Sequence, residues 1–172
     1  MTLTEIETEI GAHLARLNLD PGQATLDRRP RGDGTPHVEG EGPIYDLVVD
    51  ADGTEQSREA VDGHELVYLI LRRRTRLIAQ AEEKRTRQVF SPAWLGPVGQ
   101  AMPKGLWALF GAHDYSRGTW IDAHVRLMDH LRGDWGARVQ SEHDRTLRRY
   151  PLTPTERGFT RRLDLSAYGA GS

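Results

Sequence analysis

Residues 44–65, IYDLVVDADGTEQSREAVDGHE, decide the fold. Ile44-Tyr45-Asp46-Leu47-Val48-Val49-Asp50 carries the β-branched and aromatic residues of a strand, and Ala51-Asp52-Gly53 supplies the tight turn that closes a hairpin. The returning strand, Thr54 to Ala60, is poorer in β-forming residues and reads as a sheet edge. Asp62-Gly63-His64-Glu65 then has the form of a helix cap. It opens a long helix expected to reach Gln88, with Leu66, Val67, Ile70, Leu71, Leu77, Ile78 and Ala81 as its apolar stripe.

Upstream, Thr4-Glu5-Ile6-Glu7 reads as a capping box, followed by Ile6, Ile10, Leu14 and Leu17 at helical period until Asp20-Pro21-Gly22. Residues 22–42 are rich in Gly, Pro, Asp and Arg and read as loop, with room for one further strand. Downstream, residues 89–113 set Pro and Gly among Phe90, Trp94, Leu95 and Trp107 and read as an apolar loop. A helix capped by Asp114 or Ser116 follows, with Trp120, Ile121, His124, Leu127, Met128 and Leu131 on one face and Gly133 as its stop. Asp134 is expected to cap the last helix, which runs from Trp135 to Tyr150 before Pro151. The two late helices should form an antiparallel hairpin against the long one. The expectation is one α+β domain over 1–172: a small antiparallel sheet in the N-terminal half, packed with a mainly helical C-terminal half. Residues 153–172 form a tail with few anchors, expected to fray.

At 172 residues with 37% hydrophobic and 28% charged residues, the chain has material for one core. No apolar run approaches the roughly 18 residues of a membrane helix, and the acidic MTLTEIETEI is unlike a signal or transit peptide, so the expected location is cytoplasmic. The sequence has no cysteine, which removes thiolate chemistry, disulfides and Cys-based zinc sites. A formal charge of -2 hides an asymmetry: residues 1–71 hold 15 acids against 5 arginines, and residues 72–172 hold 18 cations against 10 acids.

Motifs for chemistry are few. There is no phosphate-binding glycine loop, dinucleotide fingerprint or nucleophile elbow. His124 and His130 are six residues apart, about 240° around a helix, so they do not form a metal pair, and no metal or cofactor is expected. Glu142-His143-Asp144 are consecutive on a helix and diverge rather than meet at one atom. Arg72, Arg73, Arg74, Arg76, Lys84, Arg85 and Arg87, against Glu82 and Glu83, make the case for nucleic acid binding through helix 72–87; a solvated face with arginine stems over apolar neighbours explains the same residues.

Several short pieces have a familiar order: Glu65-Leu66-Val67-Tyr68 opening a helix, Asp114-Tyr115-Ser116-Arg117 before Trp120, Trp135 with Glu142, then Leu147 and Tyr150-Pro151-Leu152, with the Tyr45 strand and Asp52-Gly53 turn upstream. From Asp62 onward, about 110 residues, this resembles the immunity proteins of bacterial polymorphic toxin systems, most nearly the family catalogued as immunity protein 63. It departs from that family in the longer apolar segment 89–113. The resemblance implies a stoichiometric antidote that binds a cognate toxin domain and occludes its active site, with no catalysis of its own. By the same resemblance Asp114 and Arg117 become candidate partner-binding residues, although a capping Asp and an Arg paired to it across the first helical turn account for them equally.

An acidic first half would complement a basic, nuclease-like toxin. Alternation along the strand puts Asp46, Val48 and Asp50 on one face and Tyr45, Leu47 and Val49 on the other, so Asp46, Asp50, Asp52, Glu55 and Glu59 are the expected partner-binding carboxylates on the solvent side of the sheet.

Overall fold

A computed structural model describes residues 1–89, 97, 103 and 113–171. Helix α1 is Leu3–Arg16, followed by a 3-10 turn at Pro21–Ala24. Strands β1 (Asp33–Glu39), β2 (Ile44–Ala51) and β3 (Thr54–Asp62) form an antiparallel sheet in that order. Helices α2 (Gly63–Thr86), α3 (Arg117–Leu131), α4 (Gly133–Arg149) and the short α5 (Pro154–Phe159) follow, with a 3-10 turn at Ser166–Tyr168. The architecture is α+β, a small antiparallel sheet packed against a mainly helical region.

Two Thr-x-x-Glu boxes overlap at the N-terminus, and the chain uses the first. Thr2 accepts the Glu5 amide and Glu5 reaches back to the Thr2 amide at 2.6 Å. Glu7, the carboxylate of the other box, accepts the Leu26 amide at 3.0 Å and ties down the loop before β1. Ile6, Ile10, Leu14 and Leu17 are fully buried, as their period requires. The hairpin turns on Asp52 and Gly53, both at positive φ (52° and 74°), the left-handed pair that a two-residue connection needs to match strand twist. The 22–42 loop does supply a strand, β1.

Asp62 caps α2 by accepting the Glu65 amide at 2.8 Å. The buried face of α2 is rotated from the one expected: Leu71, Thr75, Ala79 and Glu83 lie inside at four-residue spacing, while Leu77 is 55% exposed and Ala81 faces solvent. Thr75 is tolerated there because its hydroxyl donates to the Leu71 carbonyl. Buried Glu83 is held by the Arg87 guanidinium at 2.7 Å, the charge pairing a carboxylate needs in that position. Helix α2 lies along α3 and reaches α4 through Tyr68, whose ring meets Trp135 edge-on at 5.8 Å.

Ser116, not Asp114, caps α3, and neither Gly133 nor Asp134 plays the expected part in the junction to α4. A single extended residue, Arg132, is both the C-cap of α3 and the N-cap of α4. Asp134 falls within the first turn of α4, where it pairs with Arg132 at 2.8 Å. The helices approach closely at Gly136, where a Cβ would lie 2.6 Å from the Asp129 Cβ.

Beyond the end of α2, Val89 and His113 form an antiparallel bridge. The expected apolar loop falls almost wholly outside the described residues.

The few anchors expected of residues 153–172 are in fact many. Leu163, Leu165 and Ala170 are buried, Tyr168 donates to Glu82 at 2.9 Å, and Arg161 binds the Thr86 carbonyl. Arginine forks recur where carbonyls lack a ladder partner: Arg16 reaches those of His130 and Leu131 in the last turn of α3, and Arg126 those of Leu163 and Ala170 in the tail. The buried hydrophobic side chains of α1, the sheet, α2, α3, α4 and the tail join in one cluster.

Candidate partner-binding face

The inner face of the sheet carries Val38, Tyr45, Leu47 and Val61 into the core. The opposite face gathers charge. Cross-strand pairs set Glu39 beside Asp46, and His37 beside Val48 beside Arg58. Asp46, Asp50 and Glu55 all belong to this outer face, together with Glu39, His37 and Arg58, which sequence reasoning missed. Arg58 is the centre. Its guanidinium lies 2.9 Å from Glu39, 2.8 Å from Asp46 and 2.9 Å from Glu55. Hydrogen bonds to Glu55, Glu39 and Asp46 raise the Arg58 pKa, and Arg58, then His37, hold the Glu39 carboxyl below its usual range.

His37 is buried between carboxylates: Nε2 meets Glu39 at 3.2 Å, and Nδ1 lies 3.4 Å from Asp50 without hydrogen-bond geometry. Three carboxylates therefore surround one guanidinium, and a fourth, Asp50, lies beside His37. The Glu39, Asp46 and Glu55 side chains stay 44%, 38% and 46% exposed, so each keeps acceptor capacity toward solvent. This arrangement holds no nucleophile, and its cation is saturated by its own neighbours. What it presents outward is an acidic hydrogen-bond-accepting surface on a rigid sheet.

The other candidates fall elsewhere. Asp52 lies in the turn, where its amide donates to the Gly32 carbonyl at 3.0 Å and its side chain is exposed. Glu59 is opposite Leu47, on the inner face, and does not join the outer carboxylates. The two positions carried over by resemblance fasten the fold and do not pair with each other. Asp114 accepts the Gln88 amide at 2.7 Å and the Arg161 guanidinium. Arg117 forks onto Glu156 at 2.6 and 2.9 Å and holds the carbonyls of Tyr150 and Pro151, and it draws the Glu156 carboxyl down to about 2.

A second polar cluster lies between α2, α3 and α4. His124 is 1% exposed; its Nε2 is 3.0 Å from the Arg72 carbonyl and must carry the proton, so Nδ1 accepts from His143 Nε2 at 2.9 Å. Burial, then the neighbouring His143, pushes the His124 pKa down to about 3. Glu142 turns away from this pair, accepting from the Tyr68 hydroxyl at 3.1 Å and pairing with Arg72 at 2.8 Å. Burial and Glu142 push the Tyr68 pKa up to about 12. Those two histidine nitrogens are bonded to each other, and among the described residues no group of three His, Asp or Glu side chains is placed to hold a metal.

The basic helix is largely engaged within the molecule. Arg72 pairs with Glu142, Arg85 with Glu82 and Arg87 with Glu83, while Arg73 and Arg74 donate to the carbonyls of Gly34 and Gln23. Arg76 stacks over Trp120 at 5.3 Å. Among the described residues no helix is long and apolar enough to cross a membrane. No family model, curated protein or solved structure matches the chain.

Proposed function

We propose that this protein is a stoichiometric inhibitor that uses the outer face of its sheet to bind a basic surface on a toxin-like partner domain and cover its active site. The observation that carries the reading is the clustering of Glu39, Asp46 and Glu55 around Arg58, with Asp50 nearby against His37, on the side of the sheet turned away from the core. Packing does not call for such an excess of like charge, and ion pairs this exposed add little to stability. Its effect is on encounter: a negative patch steers a cationic partner and fixes its orientation. The resemblance to immunity proteins points the same way. The nucleic acid reading of residues 72–87 has less to draw on, because most of those guanidinium groups already hold carboxylates or carbonyls of their own chain.

Capture from the native host should yield a one-to-one complex with a protein domain of basic surface. With that partner in hand, D46N/D50N/E55Q should associate about 3- to 10-fold more slowly at low salt, and the difference should shrink as ionic strength screens the patch. An unaltered rate for the triple variant across ionic strengths removes the outer face from the reading.

A further inference from the structure

The two edges of the sheet are not alike. β1 is closed on its outer side by the bond from the Val38 amide to the Asp27 carbonyl at 2.8 Å. β3 is hydrogen-bonded to β2 on one side, and among the described residues no backbone bond leaves its other side. Residues 54–60 of this strand are all exposed. An unpaired edge of that length is a template for another strand, and natural edges carry charges or bulges that reject unsuited ones. β3 has both: Glu55, Arg58 and Glu59, and an irregularity in its pairing opposite Val49 and Asp50.

The inner side of β3 opens onto a groove of about 250 Å³ between the sheet and α2. Leu47, Val49, Leu69 and Ile70 give it an apolar floor, with Ser57 and Glu59 contributed by β3. Arg76 stands on the helix wall, exposed and without a carboxylate partner among the described residues. Its neighbour Arg72 is already paired to Glu142.

We infer that β3 is extended by a strand from the partner protein, and that the partner segment alternates in character. A strand added about 4.8 Å from β3 sends every second side chain to each face of the sheet. Those on the outer face come up beside Glu55, a position for lysine or arginine, and beside Arg58. Those on the inner face come up beside Ser57 and Glu59 and over the groove, where the apolar floor takes aliphatic side chains and Arg76, on the helix wall, takes a carboxylate. Main-chain bonds to β3 hold the segment, and the alternation selects it. The inference rests on the partner-binding reading above and adds to it the edge and the pattern recognised.

The test uses the full chain and two capped ten-residue peptides. In the first, lysine alternates with leucine and one central glutamate; in the second, lysine replaces that glutamate. The first should slow amide hydrogen exchange at alternate residues of β3 and bind at least about 5-fold more tightly than the second. R76E should reverse that preference and R76Q should abolish it, with unfolding midpoints measured to confirm that both variants fold. Absence of protection along β3, protection confined elsewhere, or a preference that R76E leaves unchanged overturns the inference. A native partner whose association responds to D46N/D50N/E55Q while β3 exchange stays unaltered also overturns strand addition, and leaves the outer-face reading standing.

Discussion

Replacing Gly136 by alanine is expected to destabilise the protein by about 1–3 kcal/mol, the range of overpacking a close contact. The new Cβ would lie 2.6 Å from the Cβ, 2.8 Å from the Cα and 2.9 Å from the Oδ1 of Asp129. Two of these belong to backbone or its first carbon, so no rotamer change clears them. Nor can the helices slide apart easily, since Arg132 alone joins α3 to α4. Alanine gains about 1 kcal/mol of helix propensity over glycine, which offsets only part of the clash. Gly133→Ala is the internal comparison: its nearest neighbour would be Asp129 Oδ1 at 3.7 Å, an ordinary contact, and its stability should change by less than about 1 kcal/mol. Urea unfolding of both variants measures the difference, and equal midpoints for Gly136→Ala and the parent protein refute the close-contact account.

Much of this architecture is legible locally. The Asp52-Gly53 turn, the apolar period of α1 and the Asp62 cap each depend on neighbours in sequence, and each is where the residues place it. The contents of the outer face are harder, for a reason that one pair of residues displays. A two-residue turn sets Ala51 against Thr54 and Asp50 against Glu55; continued without interruption, this register puts Glu59 opposite Asp46, on the outer face, and Arg58 inward. The irregularity after Asp50 shifts the pairing by one residue, so Arg58 comes opposite Val48 and Glu59 opposite Leu47. One unpaired residue thus exchanges a cation for an anion on each face. An aliphatic-poor strand gives no pattern from which to read that slip. The histidine pair is invisible for another reason: ligand-spacing rules search along one helix, whereas His124 and His143 meet across two. β1 escaped a firm assignment because Gly34, Thr35, Pro36 and His37 do not alternate in polarity.

Acid should weaken the fold well before most carboxylates titrate. His124 donates one ring proton to a backbone carbonyl and accepts another from His143, leaving no place for an added proton without breaking the pair. Its pKa of about 3 in the folded chain lies below the ordinary 6.5, so between these values the unfolded chain binds the extra proton. The stabilisation is complete above pH 6.5 and declines as pH falls toward 3. His13 and His143 are also shifted down, chiefly by burial, and add in the same direction. For His124 alone the loss between pH 7 and pH 5 is about 2 kcal/mol, from a limiting slope of about 1.4 kcal/mol per pH unit. Chemical denaturation at stepped pH measures it. His124→Gln, which cannot titrate, should lower the slope by close to one proton at pH 5, and an undiminished slope in that variant means that His124 is not the group responsible.

The arginine forks that hold the helix-end and tail carbonyls make the choice of denaturant informative. Guanidinium chloride offers at molar concentration the same planar donor that Arg16 gives to His130 and Leu131, and that Arg126 gives to Leu163 and Ala170. It also screens the ion pairs of Arg117, Arg161 and Arg58, which urea leaves in place. Guanidinium is ordinarily about twice as effective as urea per mole. Here the solvent would compete with the molecule's own fastenings as well as solvating its core, and the ratio should rise above that value.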